Sequence, residues 1–456
     1  MVRNVRARRI PNQALRVLLA EAGWSGARLA REVNALGAAQ GTALHYDRTA
    51  VAHWLAGSRP RRPVPALAAE ALTRRLGRRV REQDTGLDGT GGPGRDPGPP
   101  AGGGSAVDHL DHVLRATDRR GVTRVGAYSL AALVVPHGPP AAPGPPTAAT
   151  GPPGRVGMVH VASAREMLGL FSRVDVVFGA GRVYEPLRQY LSATVLPWLR
   201  RDMRPGVRRE LLTVASRLTY LCAFTHFDMN RHAAAQRFYL TAGELAREAG
   251  DRIGHGLALR GLSVQAHALG HFAEAHHLAE QAVEEGRRYA PPHQQAFFHG
   301  QLAVALAARG DTRHARHLTA ADRCLERSPS GDWPVGAFHP GSLALQRAAV
   351  AVSRGDRRSA AAALDVSLRH RPADERRSRV LSLAELAENR LAIGHLEQAC
   401  GTWHEFLDDY PRVRSARADD RLRLLIARTR SHRTSPAVAA LHARVRELRH
   451  RSAPEE

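Results

Sequence analysis

Arg48, Thr49, Ala50 and His53 lie close together in the stretch DRTAVAHWLAGSRPRRP, residues 47–63, and Arg59, Arg61 and Arg62 follow at once. Hydroxyl, imidazole and guanidinium donors beside a bare methyl match what base edges offer in a DNA major groove. Arginines just past them suit the flanking phosphates, which fix position without reading sequence. The spacing says how a helix would present them. Asp47 can cap its first turn. Val51, Trp54 and Leu55 fall at i, i+3 and i+4 as one apolar stripe, which leaves Arg48, Thr49, Ala50 and His53 to other faces. Gly57 stops the helix before the arginines.

Other chemistry is thinner. Cys222 and His226 are four apart, as are His267 and His271 with Gly270 between them. A zinc site needs four ligands, or three and a water, and no third partner suggests itself. His276–His277 and His314–His317 sit in hydrophilic stretches and read as solvated. No GxSxG, HExxH or CxxC motif is present, and the glycine tracts lack the Gly-Lys-Ser/Thr of a phosphate loop. The expectation is a chain with no catalytic residue, no metal and no cofactor. Trp333 and Pro334 follow SPSGD and read as a surface insertion, the alternative being a lip over the groove of the repeats.

The chain has 456 residues and a formal net charge of +23, all of its basic residues being arginine. Residues 1–84 hold sixteen arginines against six acids, a surplus of ten in under a fifth of the length. That concentration favours a polyanionic partner, nucleic acid first. Three widely spaced cysteines make no disulfide framework and fit a reducing cytoplasm. No secretory leader and no apolar run of about 20 residues is visible, so no membrane is expected.

The elements around the arginines are short helices. Residues 3–9 are a basic arm. Asn12 caps a first helix with Leu15, Leu18, Leu19 and Ala22 inward and Gly23 at its end. Ser25 opens a second, with Leu29, Ala30, Val33 and Leu36 at helical spacing. Residues 37–46 form a long turn before the third. Pro63 and Pro65 open a fourth, buried through Leu67, Ala68, Ala71, Leu72 and Leu76 and closed by Gly77. LARxV (29–33), TAVAHWLAGxRPRRP (49–63) and LAAEALTRRLG (67–77) resemble the Cro/C1-type (XRE-like) helix-turn-helix domain of repressors. The resemblance implies that the third helix reads DNA. Arg48, Thr49 and His53 match positions that reach base edges, and Ala50 could touch a thymine methyl. Gly26, Ala27 and Arg28 match the start of the scaffold helix, where phosphate is met. The turn before the third helix, about ten residues, is much longer than the family's usual 3–4.

Residues 85–105 and 136–156 are Gly/Pro tracts that read as flexible linkers. Between them lie a helix (Val107 to Thr117) and a short apolar segment (Tyr128 to Val135). Beyond Val159 the pattern is helical, with breaks at Asn230, Gly270, Gly310, Gly355 and Gly394. An alanine stands five residues after each: Ala235, Ala275, Ala315, Ala360 and Ala399. Gly or Asn lets the chain turn between two helices, and a small residue at a fixed place lets them approach. This is a helical-hairpin repeat of about 40 residues, tetratricopeptide-like, with five hairpins and a sixth over 416–450. Ala164 to Phe171, FGAGRVYEPLRQYLSATVLPWLR, RRELLTVASRLTYLCAFTHFD and AAQRFYLTAGELAREAGD (234–251) resemble actinomycete regulators that join a Cro/C1-type domain to such repeats. These include negative regulators of sporulation and antibiotic production.

The expected fold is all-α: a small helix-turn-helix domain (1–84), a linker with a short weak element (85–157) and a tetratricopeptide-like α-solenoid (158–451). The expected function is a DNA-binding transcriptional regulator in the cytoplasm. Its partners would be double-stranded DNA and an unidentified peptide, protein or small molecule in the repeat groove, with a homodimer left open. The alternative is a tetratricopeptide-like protein–protein adaptor without sequence-specific DNA binding.

Overall fold

The computed structural model describes residues 11–39, 44–61, 63–76, 80–87, 105–117, 128–133, 156–328 and 338–452. The basic arm, Arg62, Gly77 and the Trp333–Pro334 insertion lie outside these residues, as does most of both Gly/Pro tracts. The described residues are all-helical, without a strand. None of their helices is long and apolar enough to cross a membrane. The chain divides into two compact units, one that takes in residues 111–139 and 231–236 along with the N-terminal residues, and one that takes in residues 105–110, 140–230 and 237–456.

The first unit holds α1 (Gln13–Ala22), α2 (Gly26–Ala39), α3 (Arg48–Leu55) and α4 (Val64–Leu76). Each start and stop has a local cause. The Asn12 side chain accepts the Leu15 amide at 2.9 Å, and Gly23 turns left-handed at φ +64°. The Ser25 hydroxyl accepts the Arg28 amide. Asp47 accepts the Ala50 amide at 2.9 Å. The apolar stripes then meet in one core, including Leu15, Leu29, Val33, Val51, Trp54, Leu67 and Leu72. Val80 and Leu87 complete it. Asn12 also donates to the Thr85 carbonyl at 2.9 Å, so the packed unit runs three residues past the expected start of the linker. The helix α2 continues to Ala39, into the segment expected as turn. The helix α5 (Ala106–Ala116) and a single 3₁₀ turn at Ala131–Leu133 follow. The carboxylate of Glu70, buried on α4, accepts both from Arg74 at 2.8 Å and from the Leu130 amide at 3.1 Å.

The second unit begins with α6 (Met158–Phe178), α7 (Ala180–Tyr190), a π turn (Leu191–Val195), α8 (Leu196–Leu199), α9 (Pro205–Asp228) and α10 (His232–Ala249). Then come α11 (Arg252–Ala268), α12 (Phe272–Gly286), α13 (Pro292–Ala308), α14 (His314–Glu326) and α15 (Pro340–Ser353). The last are α16 (Arg357–Arg369), α17 (Arg376–Ala392), α18 (Leu396–Asp409), α19 (Ala416–Arg428) and α20 (Pro436–Ser452). From α11 to α18 consecutive helices pack in pairs and the pairs stack, a repeat-like arrangement, while α19 packs on α17 and α20 on α18. Asn230, Gly270, Gly310, Gly355 and Gly394 all have positive φ between paired helices, as the spacing predicts. Ala235, Ala275, Ala360 and Ala399 are fully buried.

Ala315 is not: it is exposed, and His314 takes the buried place. A turn at Thr312–Arg313 precedes α14, so its register advances by one residue. His314 is therefore not solvated. Its ring meets the Asp311 carbonyl at 2.7 Å and Arg354 at 3.2 Å.

The repeat-like unit also meets its own far end. The helix α6 packs against both α9 and α17. Arg377 on α17 donates to Asp175 on α6 at 3.1 Å and lies 3.9 Å from Asp228 on α9. Asn230 donates to Asp420 on α19 at 2.7 Å. The Phe178 carbonyl accepts from the Arg414 amide at 2.8 Å. A Cβ at Gly179 would sit 2.7 Å from the Arg414 carbonyl oxygen, so only glycine fits this approach.

Candidate nucleic-acid interface

The helix α3 is anchored from behind. Val51 and Trp54 are buried, Leu55 half-buried, and the Tyr46 ring meets Trp54 edge-on at 5.2 Å. Tyr46 is itself fixed by α2. The Asn34 side-chain amide donates to the Tyr46 carbonyl at 2.8 Å, and its oxygen accepts the Tyr46 amide at 2.9 Å. The far end of the long turn is thus pinned immediately before the Asp47 cap. Backbone hydrogen bonds at this cap hold the Asp47 carboxyl below its usual range, that from Ala50 leading.

What remains outward is Arg48, Thr49, Ala52 and His53, all exposed. Ala52 was not singled out by the sequence. Ala50 was expected outward, but it is half-buried and packs on the core, so the methyl on the open face belongs to Ala52. Ala50 lies four residues before Trp54, so the apolar stripe is wider than Val51, Trp54 and Leu55 alone.

Gly26 has a structural reason of its own. A Cβ there would come within 3.2 Å of Val51, so its smallness sets the α2–α3 approach. Arg28 is exposed and engaged locally, with Glu32 at 2.9 Å and Trp24 beneath it at 6.0 Å. Such a surface pair holds the side chain only weakly. Arg59 and Arg61 are exposed beyond the end of α3. No carboxylate among the described residues pairs with Arg48, Arg59 or Arg61.

Residues 15–88 match the SP15 N-terminal domain family. The SP15-like stretch takes in most of α1, all of α2 to α4 and the closing residues Val80 and Leu87, so its end coincides with the end of the packed core. No curated protein and no solved structure matches the chain.

The histidine and cysteine pairs are set in packing. Cys222 and His226 are both buried on α9. Burial pushes the Cys222 thiol far up. The His226 ring lies between Tyr184 at 4.6 Å and Phe238 at 5.1 Å. Burial lowers His267, which leans on Phe272 at 5.5 Å. Among the described residues no three His, Cys, Asp or Glu side chains gather as a metal site would need.

Proposed function

We propose that the first unit is a Cro/C1-type helix-turn-helix domain that reads duplex DNA through α3. The chain then acts as a transcriptional regulator whose second unit, a tetratricopeptide-like solenoid, receives a ligand or partner. The observation that carries this reading is the open face of α3. It presents Arg48, Thr49, Ala52 and His53 together, with Arg59 and Arg61 beyond, on a helix whose opposite face is locked into the core. A short helix of that composition, on a unit with a surplus of arginine, suits insertion in a major groove.

The test is selection of bound fragments from random duplexes by the full chain, followed by binding of the selected and a scrambled duplex across a salt series. Affinity should fall steeply with salt. Arg48→Ala should lose about 1–3 kcal/mol on the selected duplex and little on the scrambled one. Arg61→Ala should weaken both alike, because phosphates do not differ between sequences. No selected sequence, or salt-independent binding, would leave the adaptor reading in place.

A further inference from the structure

The helix α6 has two sides. Val161, Ala164, Phe171 and Asp175 are buried on the side that packs against α9 and α17. The other side runs through Val159, Ala162, Glu166, Leu170 and Arg173, all exposed, to the half-buried Val177. Steps of three and four residues keep these side chains on one stripe, roughly 27 Å long at the helical rise. Val159 is 81% exposed and Leu170 51%. Large apolar side chains aligned in the open mark a contact surface rather than scatter. The stripe also carries two charges that the chain leaves unused. Neither Glu166 nor Arg173 has an ion-pair partner among the described residues, although Arg165, next to Glu166, is engaged with Glu210. Gly169 stands at the edge of the stripe in mid-helix, with nothing within 4 Å of where a Cβ would be. Glycine weakens a helix interior, and no close approach within the chain calls for it here.

The order of these residues is self-complementary. Glu166 lies three residues before Gly169, and Arg173 three after Leu170. A two-fold axis between Gly169 and Leu170 therefore sets Glu166 of each copy opposite Arg173 of the other, and Ala162 opposite Val177. The bare backbone of Gly169 falls at the crossing, where two helices come closest. A parallel pair would set Glu166 on Glu166 and Arg173 on Arg173, which repel.

We propose that the open side of α6 is a self-association surface, covered by α6 of a second copy of this chain lying antiparallel across it. Leu170 and Val159 supply the apolar contact, Gly169 the close approach, and the two reciprocal Glu166–Arg173 pairs fix direction and register. The inference concerns the second unit alone and does not depend on DNA reading by the first.

The test is sedimentation equilibrium of the full chain without DNA, from about 1 µM to about 300 µM, the range in which an interface of one helix face is populated. The wild type should pass from monomer to dimer. Glu166→Arg and Arg173→Glu, each alone, should weaken the dimer about tenfold or more, because each sets two pairs of like charges face to face. The double variant Glu166→Arg with Arg173→Glu should restore it, since the opposed charges are merely exchanged. Parallel helices would not be restored, because like charges would still meet. All three variants should keep the wild-type melting temperature, as both side chains are exposed and unpaired. A wild type that stays monomeric overturns the proposal. So does a dimer indifferent to the single reversals, or a double variant as weak as either. If a reversal prevents folding, Leu170→Cys decides: beside the axis it should close a disulfide between two copies under an added oxidant, and a chain that stays uncrosslinked overturns the proposal.

Discussion

Asp175 and Asp228 share the guanidinium of Arg377, and the three come from α6, α9 and α17. Burial pushes the Asp175 carboxyl up to about 6, with Asp228 adding to the rise and Arg377 opposing it. Its unfolded value is near 3.8. A carboxyl raised on folding binds its proton more tightly in the native state. Its contribution is therefore full below the unfolded value and is lost as pH rises through about 6. The wild type should gain melting temperature between about pH 7.5 and pH 5.5, relative to Asp175→Asn, by an amount worth roughly 1 kcal/mol, with up to about 3 kcal/mol in all once the pH falls below the unfolded value. Equal pH profiles for the two proteins would show that Asp175 does not titrate there.

At the scale of elements, the Asn34 side chain fixes the residue before the Asp47 cap. Asn34→Ala removes both bonds to Tyr46 and should cost about 1–3 kcal/mol in denaturant unfolding. It should also weaken duplex binding although Asn34 is on α2, because the start of α3 loses its fixed approach. The break at Asn230 makes a second case. It holds φ +57° and also donates to Asp420, so Asn230→Gly should lose the bond alone, while Asn230→Ala loses the bond and adds left-handed strain of about 1 kcal/mol. A comparison of the two melts separates these contributions. Elements such as these show what a sequence discloses. As caps and breaks, Asn12, Gly23, Asp47 and the recurring glycines act within four residues of themselves, so spacing alone exposes them. Asn34 with Tyr46, Glu70 with Leu130 and Asp175 with Arg377 are chosen across 12, 60 and 202 residues, which spacing cannot express. Ala50 and Ala315 depart from the spacing for a smaller reason: a rotation by one residue, from a wider apolar stripe or an extra turn, moves a side chain between inside and outside.

At the scale of the molecule, the described helices from α6 to α20 have both local and closing contacts. A stack of hairpins joined only to its neighbours melts from its ends. Here α6 and α9 engage α17 and α19, so a fragment from residue 156 onward should melt in one transition by circular dichroism. Arg377→Met strands two buried carboxylates and should cost about 3–5 kcal/mol, whereas Arg377→Met with Asp175→Leu and Asp228→Leu should recover much of the loss. A multi-step melt of the wild-type fragment would contradict the closure. The same closure bears on how such a chain can change length. A string of hairpins held only side by side can gain or lose a member by duplication or deletion, with the rest undisturbed. Here the strand of links is fastened back to its own beginning, at Asp175, Gly179 and Asn230. Excising one forty-residue segment would leave Arg377, Arg414 and Asp420 short of those anchors, so the count of links is itself part of what the fold specifies.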